Sequence, residues 1–533
     1  MKHALLLSDS IKKRGLEWRK FLCLTIVLCV VAGSPLRAAE SAATSPRERI
    51  SIDDGWRFTK GDPTNNTVSM LYDARPVSRG EDQRARLAEA TSDAAQLSAT
   101  TNLLLKPWIL PTGNPFIEGP AKRFVRPDGN PGGEVSYVQG NFDDSGWQKV
   151  NLPHDWAIEG PFTHSGGGGM GRLPTAGVGW YRKKLDIPAS DAGKSIFLDV
   201  DGAMSYAAVW LNGQIVGGWP YGYSSWRVDL TPYVKPGGEN ELAIRLDSLP
   251  NSSRWYPGAG IYRNVWLVET SPVHVGHWGT YTTTPTVSSS SATVNLKVTV
   301  DNDSKQNTKV SVATEIFALG EDGRRSGKAV AQIAPVNLEI SSGQSSVVDG
   351  STTVTNPKLW GPPPTQKPNR YVAVTTVSQG GKVVDDYETP FGFRTLKFDP
   401  NEGFFINGKH VHINGVCDHH DLGALGAAFN TRAAQRQLEI LQEMGCNALR
   451  TSHNPPAPEL LELCDKMGFL VMDEAFDCWQ RQKTPNDYHL LFADWHEQDL
   501  RAQLRRDRNH PSVIMWSIGN EVGEQSSPQG GII

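Results

Sequence analysis

Apolar and polar residues alternate in short runs along the first half of the chain, a pattern typical of β-strands with one buried face. Apolar residues occupy every second position from Ile196 to Val200 and again from Leu242 to Leu246. The pair Asn212-Gly213 between such runs marks a tight hairpin turn. Many short strands of this kind predict a β jelly-roll domain over residues 40–270.

An insertion interrupts this pattern at about residues 67–127. The stretch is polar, rich in Ala and Arg, and includes a short helical pattern at 84–90. We interpret it as an inserted loop with one short helix, and the sequence assigns it no role.

The alternation continues in a second β region at residues 271–394. Apolar residues stand at every second position from Val294 to Val300, and Gly380-Gly381 separates two further strand-like runs. A length of roughly 120 residues is that of an immunoglobulin-like β-sandwich.

After Phe398 the pattern changes to strand, helix, strand over residues 395–533. Strand-like runs at 410–415, 447–451, 469–473 and 513–516 alternate with helical ones. The first of these helices is expected to be capped by Thr431. The second is bracketed by Pro458 at its start and Gly468 past its end, as helix boundaries usually are. Four βα units in a row predict the first half of a (β/α)8 TIM barrel.

The N-terminus has the three parts of a secretory signal. Basic residues at 12–20 precede an apolar run at 21–32 and then small residues up to Ala39. About a dozen apolar residues are too few to span a bilayer comfortably. Residues 1–39 are therefore predicted to be a signal peptide of a secreted or periplasmic protein, with a retained anchor as the alternative. No later segment is expected to span a membrane.

The charge balance excludes one class of partner. The chain has 53 basic and 57 acidic residues, a net charge of −4, and so offers no basic footprint for nucleic acid. The chain has 16 Trp, 13 Tyr and 52 Gly, a mixture common both in loop-rich β proteins and in sites that stack sugar rings.

Working residues of such barrels lie at the C-terminal ends of the strands. Glu521 follows the fourth strand directly, where apolar walls can raise the pKa of a carboxyl and suit it to general-acid work. The alternative is a carboxylate that caps the next helix. Neighbouring Asn520 offers a donor and an acceptor to a sugar hydroxyl, or else sits in a plain turn.

Four further candidates lie on the same predicted rim. His420 and His453 can donate hydrogen bonds to hydroxyls, although a lone His is more often structural. Arg450 can orient a carboxylate through two parallel bonds, or form an ordinary ion pair. Trp479 can form the floor under a sugar ring or pack the rim. A shared metal ion at 418–420 is not favoured, because adjacent strand residues point to opposite faces.

Two long motifs carry a family resemblance. Residues Asn509–Glu521 (NHPSVIMWSIGNE) resemble the acid/base signature of glycoside hydrolase family 2, and Asn447–Pro455 (NALRTSHNP) resembles its other signature. Shorter matches to the sugar-binding jelly roll of that family lie at Leu152–Trp156, Gly179–Lys183, Val209–Gly213 and Trp255–Arg263. The resemblance covers nearly the whole chain after residue 39 except the insertion.

Residues 452–456 and 518–522 look more like those of β-galactosidases than those of β-glucuronidases or β-mannosidases of the family. The resemblance implies retaining, exo-acting hydrolysis of terminal β-D-galactosides, with an oligosaccharide or glycoconjugate as substrate. The roles it implies are Glu521 as acid/base, Asn520 at the 2-hydroxyl, His420 and His453 on the sugar, and Arg450 in support of the nucleophile. A β-glucuronidase or β-mannosidase is the alternative within the family.

The resemblance also bears on magnesium. Well-known β-galactosidases of the family bind this ion through a Glu and a His just after the third strand, where this sequence has Cys478 and Gln480. No metal ligand is therefore assigned.

A retaining mechanism needs two carboxylates about 5 to 5.5 Å apart. In the family the nucleophile is a Glu on the seventh strand, whereas twelve residues follow Glu521 here. We therefore expect a chain truncated inside the barrel, with no nucleophile and no hydrolysis on its own. The alternative is a non-catalytic carbohydrate-binding protein that stacks sugars on its aromatic loops, at Trp219, Tyr221, Tyr223, Trp255 and Tyr256.

Overall fold

The structure is a computed structural model that describes residues 46–64, 68–74, 101–163 and 170–532. The predicted signal peptide and the helix expected at 84–90 lie outside these residues. No helix within the described ranges has the length and apolar character needed to cross a lipid bilayer.

The first domain is a sandwich of two antiparallel sheets. Their strand orders are β1-β12-β7-β10 and β5-β2-β6-β11-β8-β9, and the insertion adds the parallel pair β3-β4 and the short helix α1. The bounds are β1 Glu48–Ser51, β2 Trp56–Lys60, β3 Val68–Leu71, β4 Thr101–Leu104, α1 Lys106–Ile109, β5 Gln148–Val150, β6 Gly177–Asp186, β7 Ser195–Val200, β8 Ala207–Leu211, β9 Gln214–Trp219, β10 Trp226–Asp229, β11 Glu239–Ser248 and β12 Val265–Thr270.

The predicted hairpin turn joins β8 to β9. Leu211 pairs with Gln214, and Asn212 and Gly213 have φ of 53° and 78°, which a two-residue hairpin turn requires. The core of this sandwich is aromatic and includes the fully buried Trp180 and Trp210.

The second domain is a seven-stranded antiparallel sandwich, as expected. Its sheets have the orders β13-β14-β17 and β16-β15-β18-β19. Residues Val294, Leu296, Val298 and Val300 of β14 all face the core. The bounds are β13 Val273–Thr283, β14 Ser291–Asn302, β15 Thr308–Leu319, β16 Arg325–Ile340, β17 Gln344–Thr355, β18 Tyr371–Gln379 and β19 Lys382–Phe391.

The third domain is a four-stranded parallel sheet with its helices, which confirms the half-barrel pattern. The sheet order is β23-β24-β25-β26, and a small antiparallel sheet β20-β21-β22 precedes it. The bounds are β20 Leu396–Asp399, β21 Gly403–Ile406, β22 Lys409–His410, β23 Gly415–Asp418, α2 Thr431–Glu443, β24 Ala448–Thr451, α3 Pro458–Met467, β25 Leu470–Glu474, α4 His489–Asp507 and β26 Val513–Ser517.

Two local predictions differ from the structure. The first barrel strand begins at Gly415, not at His410, because the Asn447 side chain bonds the backbone of His412 and Asn414 and replaces strand pairing there. Helix α2 is capped by Asn430, whose Oδ1 accepts the Ala433 amide, rather than by Thr431. The boundaries of α3 are as predicted, with Pro458 at its first position and Gly468 left-handed past its end.

Candidate active site

The carboxyl ends of the four parallel strands meet around the side chain of Glu474, the last residue of β25. Glu474 is fully buried and its carboxylate accepts bonds from three side chains. Arg450 from β24 gives a two-bond ion pair, with Nε 3.0 Å and Nη2 2.8 Å from Oε2. The Nδ1 atom of His453 lies 2.7 Å from Oε1, and the Ser517 hydroxyl lies 2.6 Å from Oε2.

These bonds set the charge state of Glu474. Burial raises the pKa of a carboxyl, but the bonds from His453, Ser517 and Arg450 outweigh it and hold the pKa of Glu474 below its usual value. Glu474 is therefore an anion that anchors Arg450 and His453. With both oxygens engaged and no exposed surface, it is a positioning group and not a free nucleophile.

Asn520 is fixed in orientation by both ends of its amide. Its Oδ1 accepts from Arg450 Nη2 at 2.8 Å, and its Nδ2 donates to Asp477 at 2.9 Å. The backbone amide of Asn520 also donates to the Phe476 carbonyl. The side chain is thus held between two charged groups, Arg450 in β24 and Asp477 in the loop after β25.

Asp477 links this network to the first sandwich. It accepts two bonds from Arg254, at 2.6 and 3.1 Å, and one from Lys483 at 3.1 Å. Burial alone would raise the pKa of Asp477. Its bonds with Arg254, Asn520 and Lys483 have the larger combined effect, so the pKa of Asp477 lies below its usual value. Two cations, Arg254 and Lys483, therefore share the buried carboxylate of Asp477 at the carboxyl end of the sheet.

The environment of Glu521 differs from that of the buried Asn520 before it. It is exposed, and its side chain makes no hydrogen bond or ion pair with the residues that the structure describes. Its φ is 43°, an uncommon backbone conformation for a residue other than glycine, and one found preferentially at functional sites. The fixed amide of Asn520 and the free carboxylate of Glu521 therefore stand side by side.

The two predicted histidines are placed differently. His453 joins the Glu474 network, whereas the Nε2 atom of His420 lies 3.1 Å from the Pro257 carbonyl of the first domain. Burial and the charge of Arg263 lower the pKa of His420 to about 3, so its ring is neutral. The ring beside His453 is that of His419, with centroids 5.4 Å apart.

Arg263 supports the loop that carries His453. This buried guanidinium donates to the carbonyls of Pro455 and Pro456, at 2.9 and 3.1 Å, and to the Tyr223 carbonyl at 2.9 Å. The loop after β24 is thus fastened to the first domain through main-chain carbonyls.

Trp479 lies beneath the loop that carries Asn520 rather than open to solvent. It is 6% exposed, its Nε1 donates to the Ile518 carbonyl at 2.8 Å, and its ring packs near Phe492. The indole packs against Gly519, where a Cβ would come within 2.9 Å of its Nε1. Its burial favours the rim-packing alternative over a floor that faces the sugar.

The aromatic loops proposed as a sugar-binding surface are taken up by packing between domains. Trp219, Tyr221, Tyr223 and Trp255 are all buried. Tyr221 donates to the Ala475 carbonyl and Trp219 donates to Asp499 of α4. These four rings offer little free surface for a lectin-like site.

The residues in the magnesium positions do not fit that ion. Cys478 is buried, and burial holds the pKa of its thiol well above the usual value, while magnesium prefers oxygen ligands. Gln480 is exposed. Within the described ranges there is no group of three His, Cys, Asp or Glu residues arranged for a metal ion.

Sequence reasoning assigned no role to three residues of this site. Glu474 directly follows the third predicted strand, at 469–473, and its place at that strand end was readable from the sequence. Asp477 follows in a loop, and Arg254 lies 223 residues earlier in the chain, so only the packing of the two domains reveals their pairing. The sequence holds no signal for it.

Three models of family domains match the chain. They are the TIM barrel domain of glycosyl hydrolases family 2 at residues 400–529, the domain described as glycosyl hydrolases family 2 at 273–394, and the glycosyl hydrolase 2 galactose-binding domain-like model at 177–257. The matches follow the same order as the three domains of the structure.

The curated relatives of this chain are named for two different activities. The chain is 50% identical over 400 residues to the β-galactosidase BoGH2A of Bacteroides ovatus, which covers 74% of this chain and 46% of that protein. It is 36% identical over 392 residues to a putative β-glucuronidase of Formosa agariphila, covering 73% and 36% respectively. The chain thus spans less than half the length of these relatives.

Solved structures show the same architecture. A glycosyl hydrolase family 2 member from Bacteroides cellulosilyticus superposes with a TM-score of 0.71 at 32% identity, covering 90% of this chain and 52% of that one. A β-glucuronidase from Bacteroides uniformis gives a TM-score of 0.65 at 26% identity, covering 89% and 47%.

Proposed function

The chain belongs to glycoside hydrolase family 2, and from this premise we propose that it supplies the acid/base side of a retaining β-galactosidase site, with Glu521 as the acid/base. The observation that carries the proposal is the pairing of an immobilised amide, Asn520, with an exposed and unbonded carboxylate, Glu521, at the strand ends of the barrel domain.

In the proposed mechanism Glu521 gives its proton to the glycosidic oxygen as the bond to the leaving group breaks. A carboxylate on the opposite face attacks the anomeric carbon, and Glu521 then takes a proton from the water that releases the sugar. Glu474 keeps Arg450 in place beside Asn520, so the amide holds one orientation toward the 2-hydroxyl of the sugar. By the pattern of the family, the attacking carboxylate is a Glu on the seventh strand of the barrel, and we assign that role to no residue of this sequence.

The proposed sugar is galactose, supported by the 50% identity to a β-galactosidase and by the motif residues at 452–456 and 518–522. A β-glucuronidase is the second candidate. The cations Arg254 and Lys483 next to Asn520 favour it, since they share one carboxylate between them and leave positive charge beside the sugar site.

The test compares the chain with a chimera that adds the C-terminal part of BoGH2A beyond the matched region. We expect the chimera to release nitrophenol from nitrophenyl β-galactoside faster than from the β-glucuronide, and residues 40–533 alone to release none. Hydrolysis by residues 40–533 that disappears in Glu521→Gln would overturn the predicted lack of a nucleophile. A chimera that prefers the glucuronide would reverse the choice of sugar.

We also propose export of the protein from the cytoplasm, on the pattern of residues 1–39. Mass spectrometry of the protein from a bacterial host measures this directly. An N-terminus near residue 40 is the expected result, and recovery of an intact Met1 from the exported fraction would contradict cleavage.

A further inference from the structure

A wide cleft lies between the first sandwich, the second sandwich and helix α4. Its volume is about 900 Å³, at the upper end of the range for small-molecule sites. Thr112, Asp301 and Arg505 lie on its three sides. None of the residues of the candidate active site lines it, so it is a separate feature of the molecule.

Two arginines at the C-terminal end of α4 line this cleft, Arg505 in its last turn and Arg508 directly after it. Arg505 donates to the Pro115 carbonyl at 3.0 Å, and Arg508 donates to the carbonyls of Trp278 and Thr280, at 2.9 and 3.1 Å. Among the residues that the structure describes, no carboxylate lies within 4.0 Å of either guanidinium.

Burial and neighbouring cations together disfavour the charge of both guanidinium groups. Burial and the charge of Arg501 lower the pKa of Arg505, and burial and the charge of Arg505 lower that of Arg508. Partly buried cations that lack a paired anion are costly, and an anion from solution relieves that cost. The α4 side of the cleft therefore attracts negative charge.

The backbone beside these arginines holds an aromatic side chain at the cleft wall. β13 has a bulge between Val275 and Thr280. Within this bulge Trp278 has a φ of 49°, and its ring stacks on His277 with centroids 3.7 Å apart. Since Arg508 binds the Trp278 carbonyl, the bulge and the arginine position each other.

The side of the cleft opposite α4 carries two carboxylates, Asp301 and Asp303, and each accepts a hydrogen bond from a serine. Arg227 is taken up by a two-bond ion pair with Asp199. Asp301 accepts from the Ser345 hydroxyl at 2.6 Å and Asp303 from the Ser195 hydroxyl at 3.0 Å. These carboxylates keep free lone pairs for hydroxyl donors but repel anions.

From this division of charge we infer that the cleft is a second, non-catalytic site for an anionic saccharide, with its acidic group on Arg505 and Arg508 and its hydroxyls toward Asp301 and Asp303. A bare anion would leave most of the 900 Å³ unfilled. A neutral saccharide would leave both arginines without an anion.

The test is calorimetric titration of the chain with trigalacturonate, with neutral galactotriose and with sodium sulfate. We expect trigalacturonate to bind at least about tenfold more tightly than either other probe, as charge-assisted bonds to two arginines predict. Equal affinity for galactotriose, sulfate affinity that matches trigalacturonate, or no binding of trigalacturonate would each overturn the inference.

Variants locate the site. The pair Arg505→Gln and Arg508→Gln should weaken trigalacturonate binding by about tenfold or more, and Lys at both positions should restore part of it. Arg432→Gln on the exposed face of α2 and Asn520→Ala in the candidate active site should leave it unchanged. Loss of binding in Asn520→Ala, or full binding in the double Gln variant, would place the ligand elsewhere.

A measurement on the unaltered chain covers the case in which the double variant does not fold. Raising KCl from about 50 to 500 mM shortens the screening length several-fold, so trigalacturonate affinity should fall steeply. Affinity independent of salt would contradict recognition through Arg505 and Arg508.

Discussion

Arg254 of the first sandwich and Asp477 of the barrel domain form a two-bond ion pair across 223 residues of sequence, with Nη2 2.6 Å from Oδ1 and Nε 3.1 Å from Oδ2. Asp477 in turn accepts from the Asn520 amide. The orientation of a predicted substrate-binding residue therefore depends on a domain that begins the chain, and the first sandwich is part of the site's construction.

Replacing Arg254 should loosen this connection. In Arg254→Met, Asp477 keeps Lys483 and Asn520 as partners, so its pKa should rise while it stays bonded. Because the Arg254 side chain is 38% exposed, the loss of stability should be modest, about 1 kcal/mol. Thermal unfolding measures the loss, and Arg254→Lys should recover part of it. A midpoint identical to the unaltered chain would show that the pair is not holding the domains.

Glu474→Gln should destabilise the barrel domain more strongly. The change removes the charge that Arg450 and His453 bind, and a lost charged hydrogen bond costs roughly 1.5 to 3 kcal/mol. Differential scanning calorimetry should show the lower midpoint. The matched control is Glu443→Gln on α2, whose partner Arg436 is about half exposed, where an effect under about 0.5 kcal/mol is expected. Equal effects would mean that the network is not cooperative.

Asp499 of α4 should make stability depend on pH. It is fully buried and accepts bonds from Trp219, Ser224 and Tyr488, and in the described part of the chain no cation pairs with it. Burial, the largest cause, raises its pKa to about 7. A carboxyl with a raised folded pKa gives stability that is present below its unfolded pKa and is lost as pH rises through the folded value.

The comparison with Asp499→Asn isolates this contribution. Denaturant unfolding should show the unaltered chain losing stability relative to the variant between about pH 4 and pH 7, by at most about 4 kcal/mol. The difference should stop changing above that range. A constant difference at every pH would mean that Asp499 keeps an ordinary pKa.

Gly519→Ala should displace the loop that carries Asn520 and Glu521. A Cβ at position 519 would lie 2.5 Å from Val522 Cγ1 and 2.9 Å from Trp479 Nε1, and such overpacking costs about 1 to 3 kcal/mol. Gly146→Ala is the control, because a Cβ there meets nothing within 4 Å. Thermal unfolding of the two variants compares them, and equal midpoints would show that the loop has room to move.

Local features of the fold were readable from the sequence because neighbouring residues determine them. The hairpin turn at Asn212-Gly213 and the ends of α3 at Pro458 and Gly468 follow from backbone preferences. The start of β23 was misjudged, because the side chain of Asn447, far along the chain, satisfies the backbone of His412 and Asn414.

The same distinction applies to the site. The rule that barrel residues act at strand ends predicts one site for Arg450, His453 and Asn520. In the structure Arg450 and His453 both bind Glu474, and Asn520 accepts from Arg450. Whether an aromatic ring such as Trp479 is covered or exposed depends on what packs over it. That information lies in contacts between distant segments and not in the pattern around the residue.

The central claim, that Glu521 handles the proton, is tested most directly by azide rescue of Glu521→Ala in the chimera with BoGH2A. Loss of an acid/base residue should slow hydrolysis of a β-galactoside with a poor leaving group by about 10² to 10⁴-fold, with a smaller effect for a good leaving group. Added azide should restore turnover and yield β-galactosyl azide. Two results would contradict the assignment. One is a rate of hydrolysis in Glu521→Ala equal to that of the unaltered chimera, and the other is a reduced rate on a β-galactoside with a good leaving group that added azide does not restore.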